Sequence, residues 1–230
     1  RMSARFLDRA RARLTLVGLV ALVTLAGCST ATRTTRTDGM VHLTGDAGAR
    51  ARARADSARN PYTDGDIHFM SGMISHHAQA IVMARWAEPN GASPSVRTLA
   101  ARITNAQQDE IALMQNWLKD RALPVPEAKP MPMKMKMDGV DHEMLMPGML
   151  SDAQMQELEA ARGRDFDRLF LTYMIQHHKG AVTMVQELFA KDGTAQDETV
   201  FKFASDVNVD QSTEIARMER MLFMLRLEGK

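Results

Sequence analysis

From about residue 66 onward, apolar positions recur three and four residues apart, and no segment alternates with the period of a strand. The spacing predicts long helices over about 66–87, 95–120, 164–190 and 196–227, with a short capped helix opening at Ser151. The breaks between them carry helix punctuation. "NPYTDGD" puts Asp64 or Asp66 near the first N-cap, "EPNGASP" offers Ser93 or Ser95 as the next, Gly163 interrupts after the short helix, and "KDGTA" ends the third long one. Residues 121–150 hold five prolines and no helical period, so they predict a loop. Residues 28–60 are rich in Thr, Arg, Ala, Gly and Asp, with too little apolar surface to fold, and predict a flexible tether. Within it "ARARARADSAR" reads as solvated linker, a short helix being the alternative.

The four long helices are two copies of one pattern. Shifted by 101 residues, the first falls on the third: Asp66 on Asp167, Phe69 on Phe170, Met73 on Met174, His76-His77 on His177-His178, Ala80 on Ala181 and Met83 on Met184. Shifted by 104, the second falls on the fourth: Gln107 on Gln211, Glu110 on Glu214, Met114 on Met218 and Leu118 on Leu222. Two helical hairpins joined by a long crossover predict an all-α domain over 61–230, a four-helix bundle with pseudo-twofold symmetry.

Upstream of the tether, Arg1, Arg5, Arg9, Arg11 and Arg13 precede the apolar run "LTLVGLVALVTLAG", which ends in "LAGC". A basic stretch, an apolar stretch and a small-residue site before cysteine are expected of a lipoprotein signal peptide over 1–27, with Cys28 lipidated. The expected place is the cell envelope outside the cytoplasm, periplasm or cell surface, with the membrane reached through the lipid anchor. Removing five arginines and one aspartate takes the chain from +1 to about −3, which leaves no basic excess for nucleic acid. A homo-oligomer is left open. Cys28 is the single cysteine, so once it is acylated neither disulfides nor thiolate metal sites are available.

The chemistry is expected on the repeated motif. Residues three and four apart share a helix face, so His76 and His77 lie on or beside the apolar stripe, with Met73 one turn before and Met83 about two turns after. His177, His178, Met174 and Met184 repeat this arrangement. A single histidine on an apolar face is ordinarily a satisfied core residue, and a methionine stripe is ordinarily packing. Two matched imidazole pairs are costly to bury without partners, and they point to a metal. Imidazole suits several transition metals, but thioether selects Cu(I). Copper is therefore the expected ion, Cu(I) above Cu(II). Iron or manganese is disfavoured, because no Glu-x-x-His pair of the di-iron type occurs. Glu110, Glu214, Gln107 and Gln211 are candidates to orient the imidazoles. The crossover adds Met131, Met133, Met135, Met137, His142, Met144, Met146 and Met149, a soft-donor set expected to capture metal.

The stretches "MISHHAQAIVMA", "MPGMLS" and "FDRLFLTYMIQHHKGAVTM" resemble the bacterial family called domain of unknown function 305, over about residues 61–227. The resemblance implies a ferritin-like bundle with two M-I-x-H-H motifs and, in some members, copper binding outside the cytoplasm. It implies ligation by His76, His77, His177 and His178, with Met73 and Met174 as further candidates. The reading that follows is a copper-binding lipoprotein for resistance or handling, a binding protein in preference to an enzyme. The alternatives are a ferritin-like metal-dependent oxidase or peroxidase, and an envelope interaction protein that binds no metal.

Overall fold

The computed structural model describes residues 35–37, 40–42, 44–137 and 140–228, with side chains over 44–132 and 144–228. All of these belong to one compact unit. The leader expected at 1–27 and the lipidation residue Cys28 lie outside the described residues. Among the described residues, no helix is long and apolar enough to cross a membrane.

Four long helices follow the predicted pattern: α2 (Asp64–Arg85), α3 (Pro94–Asp120), α5 (Gly163–Ala190) and α6 (Glu198–Leu227), once the shorter α1 (Gly45–Arg59) and α4 (Asp152–Ala160) are counted in chain order. Helix α2 packs along α3, α5 along α6, and the two hairpins meet through α2 and α5. The caps refine the reading. Thr63, not an aspartate, is the N-cap of α2, and Asp66 closes a capping box onto it. Ser93 caps α3 with Pro94 at its first position, and Ser151 and Gln154 form a capping box for α4.

Two segments differ from the sequence reading. Helix α1 lies within the stretch expected as tether and packs on α3, burying Gly48 and Ala53, with Asp46 3.6 Å from Lys119. Its alternating Ala and Arg have high helix propensity, which an apolar count does not register. The crossover contains an antiparallel ribbon, β1 (Thr35–Thr37) and β2 (Met40–His42) forming a smaller one upstream, and β3 (Met133–Met137) pairing with β4 (Val140–Met144). "MKMKM" does alternate, but methionine and lysine are weak strand formers and hide the period.

The core is divided. One apolar cluster joins Met73 of α2, Met114 of α3, Met184 of α5 and Phe203 of α6. The other joins Met83, Ile103, Phe170 and Met218 of the same four helices. The N-terminal half of α2 thus packs with the C-terminal half of α5, so those helices run antiparallel about the pseudo-twofold. Apart from Ile81, the switch between clusters falls at a polar residue in each helix: His76-His77, Gln107, His177-His178 and Gln211. All six are buried.

Paired carboxylates hold the hairpin ends. Asp66 accepts from the backbone N–H of Ala195 (2.7 Å), which fixes that residue at φ 54° before α6. Its counterpart Asp167 accepts from the N–H of Ser93, the cap of α3 (3.1 Å). Asp197 caps α6 and is gripped by the Arg121 guanidinium (2.6 Å) and the Trp117 indole N–H (3.1 Å).

A strap, residues 146–150, crosses the middle of the bundle. A side chain on Gly180 would place its Cβ 1.9 Å from the Pro147 carbonyl oxygen, so only glycine lets the strap lie this close to α5. Gly148 turns beneath it at φ 77°. Gln79 holds the strap from the other hairpin, donating to the Leu150 carbonyl (3.0 Å) and accepting from its N–H (2.7 Å).

Candidate metal centre

The four predicted histidines come together in the polar layer, and each is fully buried. The rings of His76 and His177 face one another across the α2–α5 contact, 3.8 Å between centroids and 39° apart in plane. His77 and His178 stand beside them, about 6 Å from their chain neighbours (6.3 and 6.2 Å).

The partners of these rings fix their tautomers. His76 Nε2 lies 3.0 Å from the Pro147 carbonyl oxygen, and His177 Nε2 lies 2.9 Å from the carbonyl oxygen of His76. A carbonyl can only accept, so both Nε2 atoms carry the proton. Burial, reinforced by the neighbouring imidazole His77, lowers the His76 pKa to about 3. Burial, with His76 next in effect, holds His177 well below its ordinary value too. Both rings are therefore neutral at pH 7, and each keeps a lone pair on Nδ1. His178 Nε2 lies 2.7 Å from a Glu214 carboxylate oxygen, in hydrogen-bond alignment. His77 Nε2 approaches Glu110 equally closely, 2.7 Å, but without that alignment.

In all four rings, Nδ1 is buried and has no hydrogen-bond partner. The side-chain oxygens of Gln107 and Gln211 are in the same condition. Such atoms ordinarily find partners in a folded interior. The free Nδ1 lone pairs of His76 and His177, together with the two unpartnered amide oxygens, suit a cation. Among the described residues, however, no three His, Cys, Asp or Glu side chains converge as a ready-made metal site. A d10 ion content with two or three ligands, or one that also takes thioether, fits this layer better than a metal demanding four to six hard donors.

The expected orienting roles divide. Glu110 and Glu214 meet the imidazoles from α3 and α6, whereas Gln107 and Gln211 sit in the layer with their oxygens free. The four motif methionines separate as well. Met73 and Met184 lie in one apolar cluster, Met83 and Met174 in the other, flanking the imidazole layer from both sides. Of the crossover donors, Met131 and Met144 are exposed, while Met146 and Met149 are buried in the first cluster. The side chains of Met133, Met135, Met137 and His142 lie outside the described residues. Sequence reasoning missed the Pro147 carbonyl and Gly180. A glycine inside a strongly helical stretch was the available signal.

The comparisons with known proteins agree with this architecture. A DUF305 protein of Streptomyces coelicolor thought to be secreted superposes with a TM-score of 0.57, at 27% identity over 70% of this chain and 93% of that one. CopM in its Cu(I)-bound form superposes at 0.51, with 30% identity over 68% of this chain and 94% of its own, and its Cu(II)-bound form at 0.52. An uncharacterized protein of Acanthamoeba polyphaga mimivirus is 38% identical over 58 residues, and this chain spans 38% of that protein's length. The sequence profile of the family Domain of unknown function (DUF305) matches residues 66–222, and the chain belongs to that family.

Proposed function

We propose that this protein is a lipid-anchored copper-binding protein of the cell envelope, which captures Cu(I) and Cu(II) through histidine and methionine for copper resistance or handling. The observation that carries the reading is the set of four buried imidazoles whose Nδ1 atoms have no partner. Burial keeps His76 and His177 neutral at pH 7, so neither has to lose a proton before a metal binds. The similarity to CopM, which is known with Cu(I) and Cu(II) bound, supports copper as the ion. A relative thought to be secreted and the "LAGC" site support a location outside the cytoplasm. The crossover adds exchangeable donors. The ribbon register sets Met133 opposite Met144 and Met135 opposite His142, which pairs soft-donor residues across it.

A competitive Cu(I) titration tests the proposal. Replacing His76, His77, His177 and His178 together by Ala should abolish the tight site. Unchanged affinity in a folded variant would defeat the reading.

A second reading, a metal-dependent oxidase, is favoured by one observation: each outer histidine meets a glutamate at 2.7 Å, a donor pair that a harder ion could use. Dioxygen consumption on addition of Fe(II) or Cu(I) distinguishes it from simple capture.

A further inference from the structure

A cavity of about 430 Å³ opens beside the strap, between the start of α2 and the end of α5. His68, Met144, Met146 and Met184 all line it. Met146 and Met184 are buried, whereas Met144 and His68 reach solvent. One wall is Pro147, whose carbonyl oxygen accepts from His76 Nε2. The cavity therefore abuts the imidazole layer through a single residue.

We propose that this cavity is a separate, solvent-facing site for a soft monovalent cation, Cu(I), held by the thioethers of Met144, Met146 and Met184 with the imidazole of His68. The inference rests on the copper reading above and adds to it a second location, where His68 joins Met184 and the crossover residues Met144 and Met146. His68 belongs to neither histidine pair, and its counterpart 101 residues later, Leu169, offers no donor.

The chemistry favours a soft cation over an apolar guest. Three of the lining side chains end in or near thioether sulfur, which is polarizable and flexible enough to converge on an ion. Cu(I) takes such ligands readily, whereas hard divalent cations avoid them. Glu187 and Lys191 at the rim offset one another in charge, so the cavity does not depend on long-range attraction. Thioether sites release Cu(I) more easily than buried imidazole does. A cation held here sits next to Pro147, whose carbonyl accepts from His76 Nε2. Met144 also ends β4, directly opposite Met133 in the ribbon, so the cavity joins the methionine-rich crossover to the bundle interior.

The test uses the full-length protein with 13C-methyl methionine, titrated with Ag(I) as a redox-inert probe and followed by NMR. The methyl signals of Met144, Met146 and Met184 should shift together. They should still do so in the variant whose four paired histidines are Ala. The double variant His68→Ala/Met144→Leu changes only exposed residues, so the fold should persist. It should bind one ion fewer per chain while the paired imidazoles respond as in the parent. Methyl signals that stay in place, or that move only when the paired histidines are intact, would overturn the proposal. Imidazoles that stay silent while these methyls move would instead count against the paired-histidine centre alone.

Discussion

Position 79 is glutamine, and its counterpart 101 residues later, position 180, is glycine. Each serves the same strap from its own side. Gln79 uses both ends of its amide to hold the Leu150 backbone, and Gly180 removes the side chain that would collide with Pro147. The two hairpins repeat one another in placing a histidine Nε2 2.7 Å from a glutamate oxygen in each copy. The strap breaks that equivalence at the inner rings. His177 donates to the carbonyl of His76, the bond a strict twofold would reciprocate, but His76 donates to Pro147 instead. The duplicated scaffold thus has a side covered by the strap and one that is not, and the differing residues at one equivalent position, Gln79 and Gly180, accommodate it.

Acid offers the largest expected effect on this comparison. His76 and His177 have depressed pKa values in the folded protein, so the unfolded chain takes up protons first as the pH falls below about 6.5. The stability they allow is complete above that value and is lost progressively down to about 3, where His76 itself protonates. The slope should approach about 1.4 kcal/mol per histidine per pH unit. Urea denaturation at pH 7, 5.5 and 4 measures it, and the double variant His76→Gln/His177→Gln should show a shallower decline. Equal slopes would mean that these rings are not held neutral.

The ends of the hairpins offer the next contrast. Asp197 and Ser93 are equivalent caps, but only Asp197 faces a buried guanidinium and an indole N–H. Asp197→Ala should cost about 3–5 kcal/mol, because it leaves Arg121 buried without its counter-charge. Ser93→Ala should cost about 1 kcal/mol, the loss of a cap alone. Similar values for the two would remove the distinction between the ends.

Gly180→Ala should cost less than Asp197→Ala, about 1–3 kcal/mol from overpacking against Pro147. Its diagnostic readout is local. Displacing the strap takes the acceptor away from His76 Nε2, so the His76 ring signals should change while those of His178, bonded to Glu214, stay in place. A change confined to α5 would show that the strap does not bear on the ring.

Much of this arrangement is legible in the sequence because helices advertise themselves by period. The expected spans of 95–120 and 164–190 fall within a residue of α3 and α5, and the 101-residue offset aligns His76-His77 with His177-His178 in the same layer. The strap is hard to read, because what it offers its neighbours is backbone, the Pro147 and Leu150 carbonyls and the Leu150 N–H, and only a glycine inside a helix, Gly180, hints at it. The split of the methionines is hidden for a related reason. Met73 and Met174 occupy equivalent positions on antiparallel helices, so symmetry sends them to opposite clusters, although the motif suggests that they gather around one point. Helix α1 escapes because it is held by propensity and a few small buried residues, not by an apolar stripe.

The polar layer also governs alignment. Sliding α2 along α5 by one turn, about 5.4 Å, would carry the imidazoles into one of the flanking apolar clusters and strand their N–H groups in hydrocarbon, a loss no repacking of methionine could recover. Helices lined only with flexible thioethers would tolerate many offsets. The histidines act as a keyway, so the two copies of the hairpin have only one way to mesh.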